Sequence, residues 1–197
     1  MKRFFLCLLL LLLSLSLVAC GEKDLEITEE EANAVLKELV PRSYELNVIF
    51  FGEGLAVENP PAVKPTSVTY RPVTADCGYT SIAQIMAKAE KVYSKRYLDG
   101  IYVAAFIGVA SESSDGMLDT NVSPRYQEIG GKLQADVAAQ VKDIRGRLEV
   151  VSATVEGATP TYVTTKATCR DESGNTVTIT VLLTLENGVW LLDSPTY

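Results

Sequence analysis

Histidine is absent from all 197 residues, and this excludes more chemistry than any other feature of the composition. Without imidazole there is no Ser-His or Cys-His nucleophile pair, no two-histidine zinc protease site and no imidazole base near neutral pH. Basic residues are outnumbered, 18 Lys plus Arg against 25 Asp plus Glu, for a formal net charge of −7. Such a surface has little to offset phosphate, so nucleic acid is a poor partner. A basic protein would be favoured, mainly through its association rate. Cysteine is sparse, at four residues. What is abundant is apolar character, 47% of the chain, enough for a packed core, and the length suits one ordinary domain.

The amino end reads as an export signal. Lys2 and Arg3 precede an unbroken apolar run from Phe4 to Leu13, and small residues follow before Cys20. A run of that length fits a signal peptide, whereas a membrane span needs about twenty residues. Leu17-Val18-Ala19-Cys20 resembles the lipobox of bacterial lipoproteins. That resemblance implies cleavage after residue 19 and acylation of Cys20, since several acyl chains anchor firmly where one holds only marginally. The expected product has a lipidated tether over 20–27 and one domain over 28–197, and sits on the extracytoplasmic face of the cell membrane. In a diderm, Gly21 would direct it to the outer membrane. Loss of Lys2 and Arg3 takes the net charge to −9.

Two cysteines then remain, Cys77 and Cys169. Outside the cytoplasm such a pair tends to oxidise, and closing so long a loop contributes roughly 4 to 5 kcal/mol in the chain-entropy model. A disulfide is therefore expected. The alternative is two separate small apolar residues, because spacing alone does not bring two Cα atoms together.

Thr28-Glu29-Glu30-Glu31 is a capping box, followed by Ala32, Val35, Leu36, Leu39 and Val40 at helical spacing. Pro41 either kinks this helix or starts a second, and Gly52 and Gly54 end it. Three prolines make 57–65 irregular, and 67–73 alternates as a strand. Ser81 or Thr80 and then Ser94 cap two further helices. Polar, turn-rich 111–123 reads as a loop, 126–133 as a small hairpin around Gly130-Gly131, and 134–145 is ambiguous between helix and irregular chain. The last third is all strand, broken at 157–160, at 171–174 and at the Asn187-Gly188 hairpin turn. Helices first and an antiparallel meander last give an α+β fold, N-terminal helices on a curved sheet, similar to a cystatin-like or NTF2-like cone.

Several strings resemble one family. They are Tyr79-Thr80-Ser81-Ile82, Val92-Tyr93-Ser94 with Tyr97-Leu98, Pro124-Arg125-Tyr126-Gln127-Glu128 with Gly130-Gly131-Lys132-Leu133, and Gly188-Val189-Trp190-Leu191-Leu192-Asp193-Ser194-Pro195-Thr196-Tyr197. Over about residues 30–197 the chain is similar to the IseA-type inhibitors of DL-endopeptidases. The resemblance implies a non-enzymatic extracytoplasmic protein, without cofactor or metal, that blocks NlpC/P60 cell-wall hydrolases by occupying their cleft, with exposed loops around a cleft of its own making the contact. A lipid anchor departs from the freely secreted founding member and limits reach to a tether's length from the bilayer.

The residues themselves offer one local candidate for that contact. Met117 and Leu118 stand among acids, and would enter an apolar cleft while Glu112, Asp115 and Asp119 face basic groups on a partner. The opposing reading has the two apolar residues pin the loop to their own domain. The spacing of Asp115, Asp119 and Asn121 does not reproduce a calcium-binding EF-hand loop. Two other functions compete: a small-molecule-binding module, and an envelope-maintenance lipoprotein acting through contacts alone. Glu128 and Asp193 are candidates for acid/base work, yet no spacing pairs two carboxylates for hydrolysis.

Overall fold

The first helix, α1 (Glu29–Phe51), begins where local chemistry sets it. Thr28 accepts the Glu31 N–H, and Glu31 returns a carboxylate to the Thr28 N–H at 2.9 Å. These bonds lower the Glu31 pKa and place an anion at the positive helix end. The computed structural model describes residues 27–112, 118–141, 144 and 146–196, with the backbone alone over 109–122. Cys20, Asp115 and Met117 lie outside the described residues. α1 runs unbroken through Pro41 for 23 residues, so the proline neither ends it nor starts a second helix.

Short helices α2 (Ile82–Ala89) and α3 (Lys95–Tyr102) follow, capped by Ser81 and Ser94. α3 continues as a π-helical turn over Val103–Ile107. Among the described residues nine strands form three antiparallel sheets. β1 (Tyr70–Pro72), β5 (Lys132–Asp136) and β4 (Tyr126–Ile129) form one, and β2 (Val109–Glu112) with β3 (Leu118–Val122) another. The third is the meander β6 (Glu149–Thr159), β7 (Tyr162–Arg170), β8 (Thr176–Glu186) and β9 (Val189–Leu192), whose strands are neighbours in chain order.

Several expectations change. The 111–123 stretch is a β-ladder pairing Val109 with Val122 and Ser111 with Thr120, not a loop throughout. The 134–145 segment opens as strand, because β5 pairs on both edges, with β4 and β1. Cys77 and Cys169 are not joined: the expected disulfide is not formed. Cys169 is buried in β7, while the Cys77 thiol, in a 3-10 turn, donates to the Tyr79 carbonyl at 3.4 Å. The strand expected over 67–73 is only three residues long and the break expected over 157–160 lies mostly within β6, which pairs to Thr159, while the Gly130-Gly131 hairpin stands, as does the Asn187-Gly188 turn, whose φ values of 51° and 80° suit a tight two-residue hairpin.

Alternation along the meander explains the layering. Val163, Thr165, Ala167 and Cys169 of β7 and Ile179, Val181 and Leu183 of β8 face inward. Leu36, Leu46 and Ile49 of α1 are fully or almost fully buried and join them in one core cluster. The Glu29 carboxylate accepts the Val155 N–H at 3.4 Å, tying the start of α1 to β6.

The far end of α1 is fastened by β4. The Tyr126 hydroxyl donates to the Ile49 carbonyl at 2.8 Å and accepts the Leu55 N–H at 3.2 Å, while Arg125 donates to the Gly52 and Ala139 carbonyls. Gly54 crosses this fastening at φ +78°, and a Cβ there would lie 2.9 Å from the Tyr126 hydroxyl. Glycine meets both requirements.

Candidate functional site

The two carboxylates that sequence offered for acid/base work each hold a helix start. Glu128 accepts the Ile82 N–H at the first turn of α2 at 2.9 Å. Asp193, with a completely buried side chain, accepts from Ser94, Arg96 and Tyr162. Ser94 also accepts the Tyr97 N–H at 3.0 Å, so one hydroxyl caps α3 and binds the buried acid. The Arg96 guanidinium lies 5.3 Å from the centroid of the Tyr162 ring. α3 has two cations, Lys95 and Arg96, and no acid in its first turn, the unfavourable sign for a helix N-terminus. The compensating anions come from far along the chain: Asp193, and Glu186, which accepts the Lys95 N–H at 3.1 Å. The arrangement gives both carboxylates structural work.

A second polar network is wholly buried. Thr196 bonds Ser43 at 2.6 Å and accepts from Asn47 at 2.9 Å, while the Tyr93 hydroxyl donates to Asn47 at 2.6 Å. It joins the 193–196 segment to the middle of α1. Among the described residues no group of three or more acids or cysteines is placed to hold a metal ion, and no helix is long and apolar enough to cross a membrane.

A recess of about 1050 Å³ lies between α1, α2, α3 and the β8–β9 hairpin. Val35 and Leu39 of α1, Met86 of α2, Leu98 and Tyr102 of α3, and Trp190 of β9 supply its apolar surface. Val189 on the hairpin is 57% exposed, and Trp190 is half-buried. Trp190 is the single tryptophan of the chain. It packs half-buried against the core and lines the groove wall, while its neighbours Leu191 and Leu192 enter the interior. Four acids and three bases border the groove; Glu38 pairs with Arg42 and Asp99 with Lys95, each at 2.7 Å.

Parts of two of the family-like strings meet here, although they are far apart in the chain. Tyr93, Leu98 and 188–191 all line the groove. The Tyr79–Ile82, Pro124–Glu128 and 130–133 strings do not; Tyr79 lines the recess beside Cys77, and Pro124–Glu128 fastens α1 and caps α2. Of the interface expected from sequence, Glu112 lies in β2 and Leu118 and Asp119 in β3, with Glu112 paired opposite Leu118. No family model matches the chain, and no curated protein matches it.

Smaller recesses of about 550 Å³ under the 53–64 strap and about 490 Å³ beside Cys77 complete the surface. Tyrosines near the recesses and fastenings carry an electrostatic signature. Burial, first, and the Glu45 carboxylate raise the Tyr79 pKa. Burial, then Glu90 and Asp99, raise that of Tyr102, and burial chiefly raises those of Tyr70 and Tyr126. A raised folded pKa means these phenols contribute stability below the ordinary value of 10.0, which is lost as pH rises through the raised values. Titration of tyrosinate absorbance should show Tyr70, Tyr79, Tyr102 and Tyr126 ionising late, together with unfolding. A single reversible step of all nine tyrosines near the ordinary value would contradict this.

Proposed function

We propose that the protein is an extracytoplasmic, lipid-anchored protein-binding domain that inhibits NlpC/P60 DL-endopeptidases by covering their active-site cleft, with no chemistry of its own. The observation that carries this reading is the meeting of two distant family-like strings, around Tyr93–Leu98 and over 188–191, on one groove lined by tryptophan, tyrosine and methionine, the residue types enriched where proteins bind proteins. The lipobox-like Leu17–Cys20 supports the anchor, and the cone-like wrapping of the meander around α1 is the finer fold reading that goes with it. Glu128 and Asp193, both committed to helix starts, fit a binding role better than an acid/base role. The groove's volume also suits a small ligand, and in that alternative its apolar wall would bind a compound rather than a protein segment.

The test is direct. Detergent-solubilised full chain should suppress muropeptide cleavage by a purified NlpC/P60 hydrolase at micromolar protein, and Trp190→Ala should weaken that suppression by about tenfold or more, as expected of a central aromatic contact. No suppression by the wild type across several such hydrolases would end the inhibitor reading.

A further inference from the structure

The groove is electrostatically uneven. At the α1 side Glu38 and Arg42 neutralise each other. At the opposite side Glu90, Asp99 and Glu186 face two bases, Lys91 and Lys95, and Lys91 is shared with the recess beside Cys77. Lys95 bonds Asp99 and also feels Glu186 and Glu90. Tyr102, on the apolar wall, feels Glu90 and Asp99. Three carboxylates thus face two ammonium groups beside an apolar wall on which Val189 is exposed and Met86, Tyr102 and Trp190 are half-exposed.

We infer that the groove binds a cationic, apolar-flanked peptide segment of a partner protein, its Lys or Arg side chain drawn to Glu90, Asp99 and Glu186 while neighbouring side chains pack on Trp190, Tyr102 and Met86. This deepens the inhibitor reading by naming the chemistry of the partner, and it rests on that reading only for the partner's identity. The ionic part supplies orientation and attraction. The apolar part excludes water, in which exposed charge pairs contribute little. Aromatic rings beside the acids add a face that favours a bound cation. An acidic segment meets the same apolar wall but is repelled by the carboxylates, so charge sets the choice.

Because Trp190 is the only tryptophan, its emission reports occupancy of this groove. The solubilised full chain is titrated with acetyl-Leu-Lys-Leu-Lys-Leu-amide and with the acetyl-Leu-Glu-Leu-Glu-Leu-amide counterpart. The cationic peptide should shift Trp190 emission saturably, bind about tenfold more tightly than the acidic one, and weaken with added salt. The double variant Glu90→Gln and Glu186→Gln should weaken cationic binding by about tenfold, with thermal unfolding showing that the fold is kept. Glutamine retains an oxygen for the Lys95 N–H. Equal binding of the two peptides, no saturable shift with either, or cationic binding indifferent to the double variant would overturn the inference. Hydrolase suppression is a separate readout, so peptide binding without suppression leaves the inference standing and removes the inhibitor reading.

Discussion

Arg96→Ala should destabilise the protein by about 3 kcal/mol, because it leaves a buried carboxylate without its counter-charge. The Asp193 side chain is wholly buried whereas that of Arg96 is 68% exposed, so the two halves of the pair are not equivalent. Removing the arginine strands an ion in the interior, with only Ser94 and Tyr162 donating to it. Removing the acid instead frees a guanidinium that water can reach. Asp193→Ala should therefore cost less than Arg96→Ala, although it also removes an acceptor from Ser94 and Tyr162. The double variant should cost less than the sum of the two, the signature of one shared interaction. Urea unfolding midpoints with unchanged slopes would measure all three. An Arg96→Ala effect within about 0.5 kcal/mol of wild type would place the pair among inert surface contacts and refute this account.

Tyr126→Ala should be comparably severe, at about 3 to 5 kcal/mol, the range for deleting a buried aromatic ring. Tyr126 is fully buried, packs its ring 6.2 Å from that of Phe106, and ties the Ile49 carbonyl to the Leu55 N–H through one hydroxyl. Tyr126→Phe separates the two contributions: the ring stays, both backbone groups lose a partner, and the cost should be about 1 to 3 kcal/mol. If Phe and Ala variants melted alike, the hydroxyl rather than the ring would hold α1 to β4. If the Phe variant were as stable as wild type, the polar fastening would be superfluous.

What was legible in the sequence follows from the range of the interactions that encode it. Thr28 and Glu31, Ser81, Ser94 and Asn187-Gly188 act over a few residues, and each marks its element correctly. The meander was readable because alternation and turn residues coincide. The β2–β3 ladder was not, since its strands are short, polar and offset by a register shift between Ser111 and Glu112. β5 was only half visible, because its second partner, β1, lies some sixty residues away (Tyr70 opposite Asp136). The groove was illegible for the same reason: Val35, Met86, Tyr102 and Trp190 come from four elements, and no local pattern announces that they meet. Likewise Asp193 and Glu128 looked free in the sequence because the helix starts they serve are remote. The cysteine pair misled in the opposite direction, since compartment logic favours a bond that the fold leaves unmade.

The burial of Thr196 against Ser43 and Asn47, across 153 and 149 positions, has a consequence for how the protein is made. The middle of α1 emerges in synthesis well before the polar partner it acquires from residues 193–196. Until then Ser43 and Asn47 lack the Thr196 hydroxyl and must find water or one another, so the network at the middle of α1 closes only with the arrival of a segment some 150 positions on.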